Sequence, residues 1–249
     1  MRVVHVAHSI FNSIKLLTLH PENVIAVSNS VKLNLIEYFN VNENKIKVIF
    51  NGIDDFPVGY NNNHRREGNE NKIKIIMIGR LDKIKQQVEL VYNTRGLLQK
   101  NIEIYFAGEG DTLFLLKETI GYYSQYKILG HIDVNKELND YDYVCLFSKK
   151  EGLPVSLIEG CKFGKPLVTN NISAVLEINK HGYNGFVVNN WIALVNCINS
   201  LPLPDSDRYR ELSINARQQY LKYFTIEKML SEYTKYLCSV MRHKSTCGF

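Results

Sequence analysis

From residue 73 onward, short apolar runs alternate with longer stretches of helical spacing, and few folds accept that pattern. The runs fall at 73–78, 102–107, 126–129, 143–147, 167–169 and 185–188. Between them, residues 84–99, 111–122, 134–138 and 154–163 carry helical spacing. Strand, helix, strand in succession builds βαβ units, whose strands lie parallel with helices on both faces. Three more helical stretches, 191–200, 205–221 and 226–241, close the chain. The expected class is α/β, with a Rossmann-like parallel sheet.

The part before this alternation is shorter. Residues 3–7 and 24–27 read as buried strands, 30–39 as a helix, and 46–50 as a third strand ended by the turn pair Asn51-Gly52. Residues 60–72, YNNNHRREGNENK, are polar and without periodicity, as in an interdomain linker or exposed loop. Hydrophobic residues at 45% and charged residues at 22% are ordinary for a globular chain. No apolar run reaches the roughly 18 residues that span a bilayer, and the opening residues lack the apolar core of a signal peptide. Five cysteines without CxxC spacing speak against a disulfide framework or a zinc site and fit a reducing cytoplasm. The net charge of +5 suits an anionic ligand or an anionic membrane face. No Lys/Arg block of the nucleic-acid kind occurs, so no nucleic-acid partner is expected.

In an open parallel sheet, ligands bind beyond the carboxyl ends of the strands. After the run at 73–78 come Gly79, Arg80 and Leu81, then Lys85. A forked donor and a point charge a few residues apart suit one diphosphate, although a surface Arg and Lys at a helix start read the same way. Gly108-Glu109-Gly110 after the next strand is a tight turn, which turn geometry alone accounts for. The segment after 143–147 is Ser148-Lys149-Lys150-Glu151-Gly152-Leu153-Pro154-Val155-Ser156-Leu157-Ile158-Glu159. Pro154 suits the first helical position, which leaves the amides near Val155 and Ser156 as an anion site. Glu151 and Glu159 then bracket that helix start. They read either as partners for sugar hydroxyls or as a dipole-stabilising and a solvated carboxylate. His8 follows the first strand and either faces a cleft or is structural. No P-loop, Ser-His-Asp spacing or metal-ligand cluster occurs.

From residue 24 to about 241 the chain resembles the retaining GT-B glycosyltransferases of family 4. The motifs, in the family's order, are AVSNSV (26–31), KVIFNGID (47–54), GRLDKIK (79–85), AGEGD (107–111), LGHI (129–132), EGLPVSLIEG (151–160), GKPLVT (164–169) and NGFVV (184–188). The resemblance implies that Arg80 and Lys85 hold the donor diphosphate and that Glu159 binds the ribose. It places Glu151 beside the donor sugar, Gly152, Leu153, Pro154, Val155 and Ser156 at sugar and phosphate, and the Ile132 backbone at the base. It matches His8 to a histidine sent toward the donor sugar. It implies no cofactor and no bound metal, front-face attack without a covalent nucleophile, and a leaving phosphate that takes the acceptor's proton.

Two departures stand out. Gln86 replaces the family's usual Gly, expected to be a minor change in helix packing. The first domain's opening βα units have no counterpart. The expected organisation is thus a partial acceptor-side domain (1–57), a linker (58–72), a donor domain (73–224) and a C-terminal helix crossing back (225–249). The expected reaction is transfer of a sugar from a nucleotide sugar to a saccharide or lipid-linked saccharide in cell-surface polysaccharide assembly. The setting is the cytoplasm, with peripheral association at the inner membrane face. Self-association, or a separately encoded N-terminal half, would cover the short first domain. The rival readings are a nucleotide-sugar-binding remnant without turnover and a GT-B epimerase.

Overall fold

A computed structural model of the protein describes residues 3–11, 13, 20–56 and 72–242. The predicted linker lies outside the described residues, apart from Lys72. The described chain forms two parallel sheets. The smaller has three strands in the order β1 (Val4–Ala7), β2 (Asn23–Ala26), β3 (Ile46–Val48), with helix α1 (Asn29–Glu37) crossing between β2 and β3. Val24, Ile25 and Ala26 are fully buried, as expected of a central strand. The edge strand β1 keeps His5 exposed.

The larger sheet holds β4 (Ile73–Ile78), β5 (Ile102–Ala107), β6 (Tyr126–Gly130), β7 (Tyr143–Leu146), β8 (Leu167–Asn170) and β9 (Gly185–Val188). Their order is β6-β5-β4-β7-β8-β9, all parallel. Consecutive residues Ile75, Ile76 and Met77 of β4 are fully buried, which requires cover on both faces of the sheet. Helices α2 (Gln87–Thr94), α3 (Leu113–Ile120) and α7 (Trp191–Asn199) pack together, and α5 (Val155–Lys162) packs on α8 (Asp207–Tyr223). Short helices α4 (Val134–Glu137) and α6 (Ser173–Leu176) complete the crossovers. The sequence pattern did not mark α6.

The predicted helix 84–99 is shorter at both ends. Gln86 sits in the left-handed region at φ 56°, so regular helix starts only at Gln87. Arg95 is extended and ends it. The replacement of the family's glycine by Gln86 is therefore not a matter of helix packing. It puts a side chain on a backbone conformation that costs an L-residue roughly 1–2 kcal/mol, partly offset by the extra chain entropy glycine loses on folding. Gln86→Gly is expected to raise stability by up to about 1 kcal/mol, seen as a melting shift of about 2–4 °C. An unchanged or lower melting temperature contradicts this account.

Two chain segments tie the sheets together. The Ile53 amide donates to the Phe224 carbonyl (3.0 Å), and the Ile226 amide donates to the Ile53 carbonyl (3.0 Å). Asp55 and Arg217 form a half-buried ion pair at 2.7 Å. The last helix, α9 (Ile226–Arg242), then runs beside the small sheet, where Glu232 meets Lys47 at 3.6 Å.

Candidate functional site

In the large sheet, β4 and β5 lead toward one edge and β7 to β9 toward the other. The order reverses between β4 and β7, and a crevice opens at such a point beyond the strand ends. The loop after β4 carries Gly79 to Lys85, and the loop after β7 carries Ser148 to Pro154. Both motif loops therefore border the crevice.

Asp82 organises the first loop. Its carboxylate accepts from the amides of Ile84 (2.9 Å) and Lys85 (2.8 Å) and from Arg80 Nε (2.7 Å). Partial burial works to raise its pKa, but these bonds to the charged form outweigh that and hold it below the usual carboxylate value. Buried Gln87 donates to the Arg80 carbonyl at 2.9 Å. The glycine turn after β5 meshes with this loop. A Cβ on Gly108, at φ 138°, would lie 2.1 Å from the Gly79 carbonyl oxygen. The Leu81 amide donates to the Glu109 carbonyl at 2.8 Å. Turn geometry accounts for this glycine, and it also holds the Arg80 turn in place.

The two basic residues diverge rather than pair side by side. Arg80 lies against Asp82 with 73% of its side chain exposed. Lys85 reaches across the crevice to Glu151, Nζ to Oε1 at 2.7 Å, with Glu151 only 9% exposed. The second loop is braced by Asn170, whose side chain donates to the Ser148 carbonyl (2.7 Å) and accepts from the Ser148 amide (3.2 Å). The Lys149 amide donates to the Ile84 carbonyl at 2.8 Å, joining the two loops.

Helix α5 begins at Val155, and Pro154 is its N-cap rather than its first helical residue. Proline offers no side-chain acceptor, and the first turn holds no acidic residue. Among the described residues, the amides of Val155 and Ser156 donate to no backbone or side-chain acceptor. Free amides on a helix dipole form an anion site. Glu159 follows one turn further, half-buried, with no hydrogen bond to its carboxylate among the described residues. Burial raises its pKa, and the charge of Lys162 only partly counters this. Such a carboxylate gains from hydroxyl donors. At the end of β6, Ile132 is buried, and neither of its backbone groups is bonded among the described residues.

The small sheet closes on this edge. A Cβ on Gly152 would lie 2.1 Å from the His8 carbonyl oxygen, so only glycine permits this approach. The structure thus brings the His8 backbone to the loop of Glu151, while the His8 side chain is exposed. Ser28 Oγ donates to the Gly152 carbonyl at 2.6 Å. Leu153 and Pro154 are buried beneath the loop. Sequence reasoning gave no role to Asp82, Gln87, Asn170 or Ser28. Only Ser28 carried a local signal, a serine directly before a helix.

Among the described residues, no group of three or more His, Cys, Asp or Glu side chains is placed to hold a metal ion. No described helix is long and apolar enough to cross a membrane.

Comparison with known proteins finds relatives of the same fold. An O-antigen biosynthesis glycosyltransferase, WbnH of Escherichia coli, is 26% identical over 219 residues, covering 88% of this chain and 60% of that protein. An uncharacterized glycosyltransferase of Methanocaldococcus jannaschii, MJ1607, is 29% identical over 180 residues, 66% of this chain and 46% of its own length. The chain thus spans about half to three fifths of the curated relatives it matches. Among solved structures, Anabaena Alr3699/HepE in complex with UDP-glucose superposes with a TM-score of 0.81 at 20% identity, over 96% of this chain and 72% of that one. Staphylococcus aureus TarM gives 0.77 at 17% identity, over 94% and 50%. These likenesses show an α/β fold of GT-B type. Residues 60–219 match the family described as glycosyl transferases group 1, and the chain belongs to that family.

Proposed function

We propose that this protein transfers a sugar from a nucleotide sugar to a saccharide or lipid-linked saccharide, with retention of configuration. The observation that carries the reading is the Lys85–Glu151 pair across the switch point, beside the unbonded amides of α5. Lysine has three donor hydrogens. Lys85 holds Glu151 with one and offers the others to the diphosphate. Arg80 and the Val155 and Ser156 amides take the remaining phosphate oxygens, as far as charge and reach demand. Glu159 accepts from the ribose hydroxyls, the Ile132 backbone meets the base, and Glu151 with Gly152 to Pro154 lines the donor sugar.

As the C1–phosphate bond breaks, negative charge grows on the leaving oxygen. Preorganised cations and amides stabilise that charge. The acceptor oxygen bonds C1 from the same face, and its proton passes to the leaving phosphate. No resident metal or cofactor has a part in this scheme. His8 borders the donor sugar from the other side. The small sheet acts as the acceptor-side unit, with α9 returning to it.

We further propose family 4 membership, a role in cell-surface polysaccharide assembly, a cytoplasmic setting with peripheral association at the inner membrane face, and self-association. The name of WbnH supports the polysaccharide role, and the UDP-glucose complex of HepE supports a UDP-class donor.

A thermal-shift screen with UDP, GDP, ADP and their sugars tests donor binding, since a ligand of the folded state raises its apparent stability. One nucleotide class is expected to stand out. Transfer is then expected to persist in excess chelator. Activity abolished by chelator and restored by magnesium or manganese would exclude the metal-free scheme.

A further inference from the structure

The N-terminus of α1 receives its negative charge from the other sheet. Its first turn holds no acidic residue of its own. Glu177, which directly follows α6 beyond β8, reaches across and accepts four hydrogen bonds there. Its Oε2 takes the Asn29 amide (2.8 Å) and Asn29 Nδ2 (2.8 Å). Its Oε1 takes the Ser30 amide (3.0 Å) and Ser30 Oγ (3.0 Å). A carboxylate on the positive end of a helix dipole, with both oxygens engaged, is a strong and directional contact.

The segment that carries Glu177 is itself anchored. Fully buried Asn179 donates to Thr169 Oγ1 (2.8 Å) and to the Phe186 carbonyl (3.0 Å). On the other side, the cap of the same helix reaches the crevice. Ser28 Oγ accepts from the Val31 amide (3.0 Å) and donates to the Gly152 carbonyl (2.6 Å). One helix start is thus tied at two points to the large-sheet unit, one of them adjoining Glu151.

We propose that Glu177 is a positioning residue: by seating on α1 it holds the two units closed and keeps Ser28, Gly152 and the His8 backbone in register beside Glu151. It touches neither nucleotide nor sugar. Its effect on turnover rests on the glycosyltransferase reading of the crevice, whereas its effect on closure does not.

The test uses Glu177→Gln, Asn29→Asp and the two combined, in the whole chain. Asn29→Asp adds an acidic residue that favours α1 itself, yet it repels Glu177. In the combined variant, the Gln amide donates to the new carboxylate. Each single variant is expected to keep UDP affinity by calorimetry and to increase the radius of gyration by X-ray scattering. Turnover at saturating UDP-glucose is expected to fall about 10- to 100-fold, the effect of a small misplacement at a reacting centre. The combined variant is expected to recover part of both losses.

Folded single variants with parental scattering and turnover overturn the proposal. So does a loss of UDP affinity parallel to the loss of turnover, which would place Glu177 at the nucleotide. If Glu177→Gln does not fold, Asn29→Asp decides. If the parent chain turns over none of the UDP, GDP or ADP sugars, the enzymatic reading fails by itself, and scattering still decides the closure.

Discussion

Lys85→Ala is expected to weaken binding of a nucleoside diphosphate about 100-fold, and Arg80→Ala about 10-fold. A hydrogen bond to a charged group contributes about 1.5–3 kcal/mol, which spans this range of affinity. The structure ranks the two. Lys85 is 20% exposed and spans the crevice, so its charge acts where water is largely excluded. Arg80 is 73% exposed, and solvent screens it. Lys85→Ala also strands Glu151, a carboxylate only 9% exposed, without its ion-pair partner. Removing one member of a buried pair is costly to stability. The lysine variant is therefore expected to melt lower as well as bind weakly, and the arginine variant to bind weakly alone. Calorimetry and melting on the same samples separate these. Unchanged affinity in both variants rules out this placement of the diphosphate.

Glu159→Gln is expected to stabilise the free protein and yet weaken bare nucleotide diphosphate by about 10-fold or more, from the same order of contribution per charged hydrogen bond. Burial raises the Glu159 pKa above its ordinary value in the folded state. The unfolded chain then ionises first, so Glu159 costs stability as pH rises above the ordinary glutamate value. A neutral amide removes that cost. Ribose hydroxyls donate to the carboxylate and favour its charged form. Affinity in the parent is accordingly expected to rise with pH through the raised pKa and level off above it. In Glu159→Gln that limb of the profile flattens. Glu151→Gln is expected to keep bare-nucleotide affinity and to lose transfer, since Glu151 faces the sugar. Normal nucleotide binding and an unchanged pH profile in Glu159→Gln would refute the division of roles between the two glutamates.

Much of this architecture was already legible in the amino-acid order. Six apolar runs alternating with helical spacing determine a parallel sheet, because runs such as 73–78 are apolar on both faces and need cover on both. The loops beyond β4 and β7 were marked by glycine, charge and Pro154, all local signals. Element ends were less legible. The start of α2 is set by the left-handed Gln86, a conformation its residue type does not announce. What only the tertiary structure decided is which side chains meet. Arg80 and Lys85 are neighbours in sequence, yet one turns to Asp82 and the other crosses to Glu151, 66 positions away. Ser28 and Gly152 lie 124 positions apart, and Ser30 and Glu177 lie 147 apart. Periodicity reports which face of an element is buried. It carries no information about the partner it is buried against, because that choice depends on strand order and on how the two sheets pack.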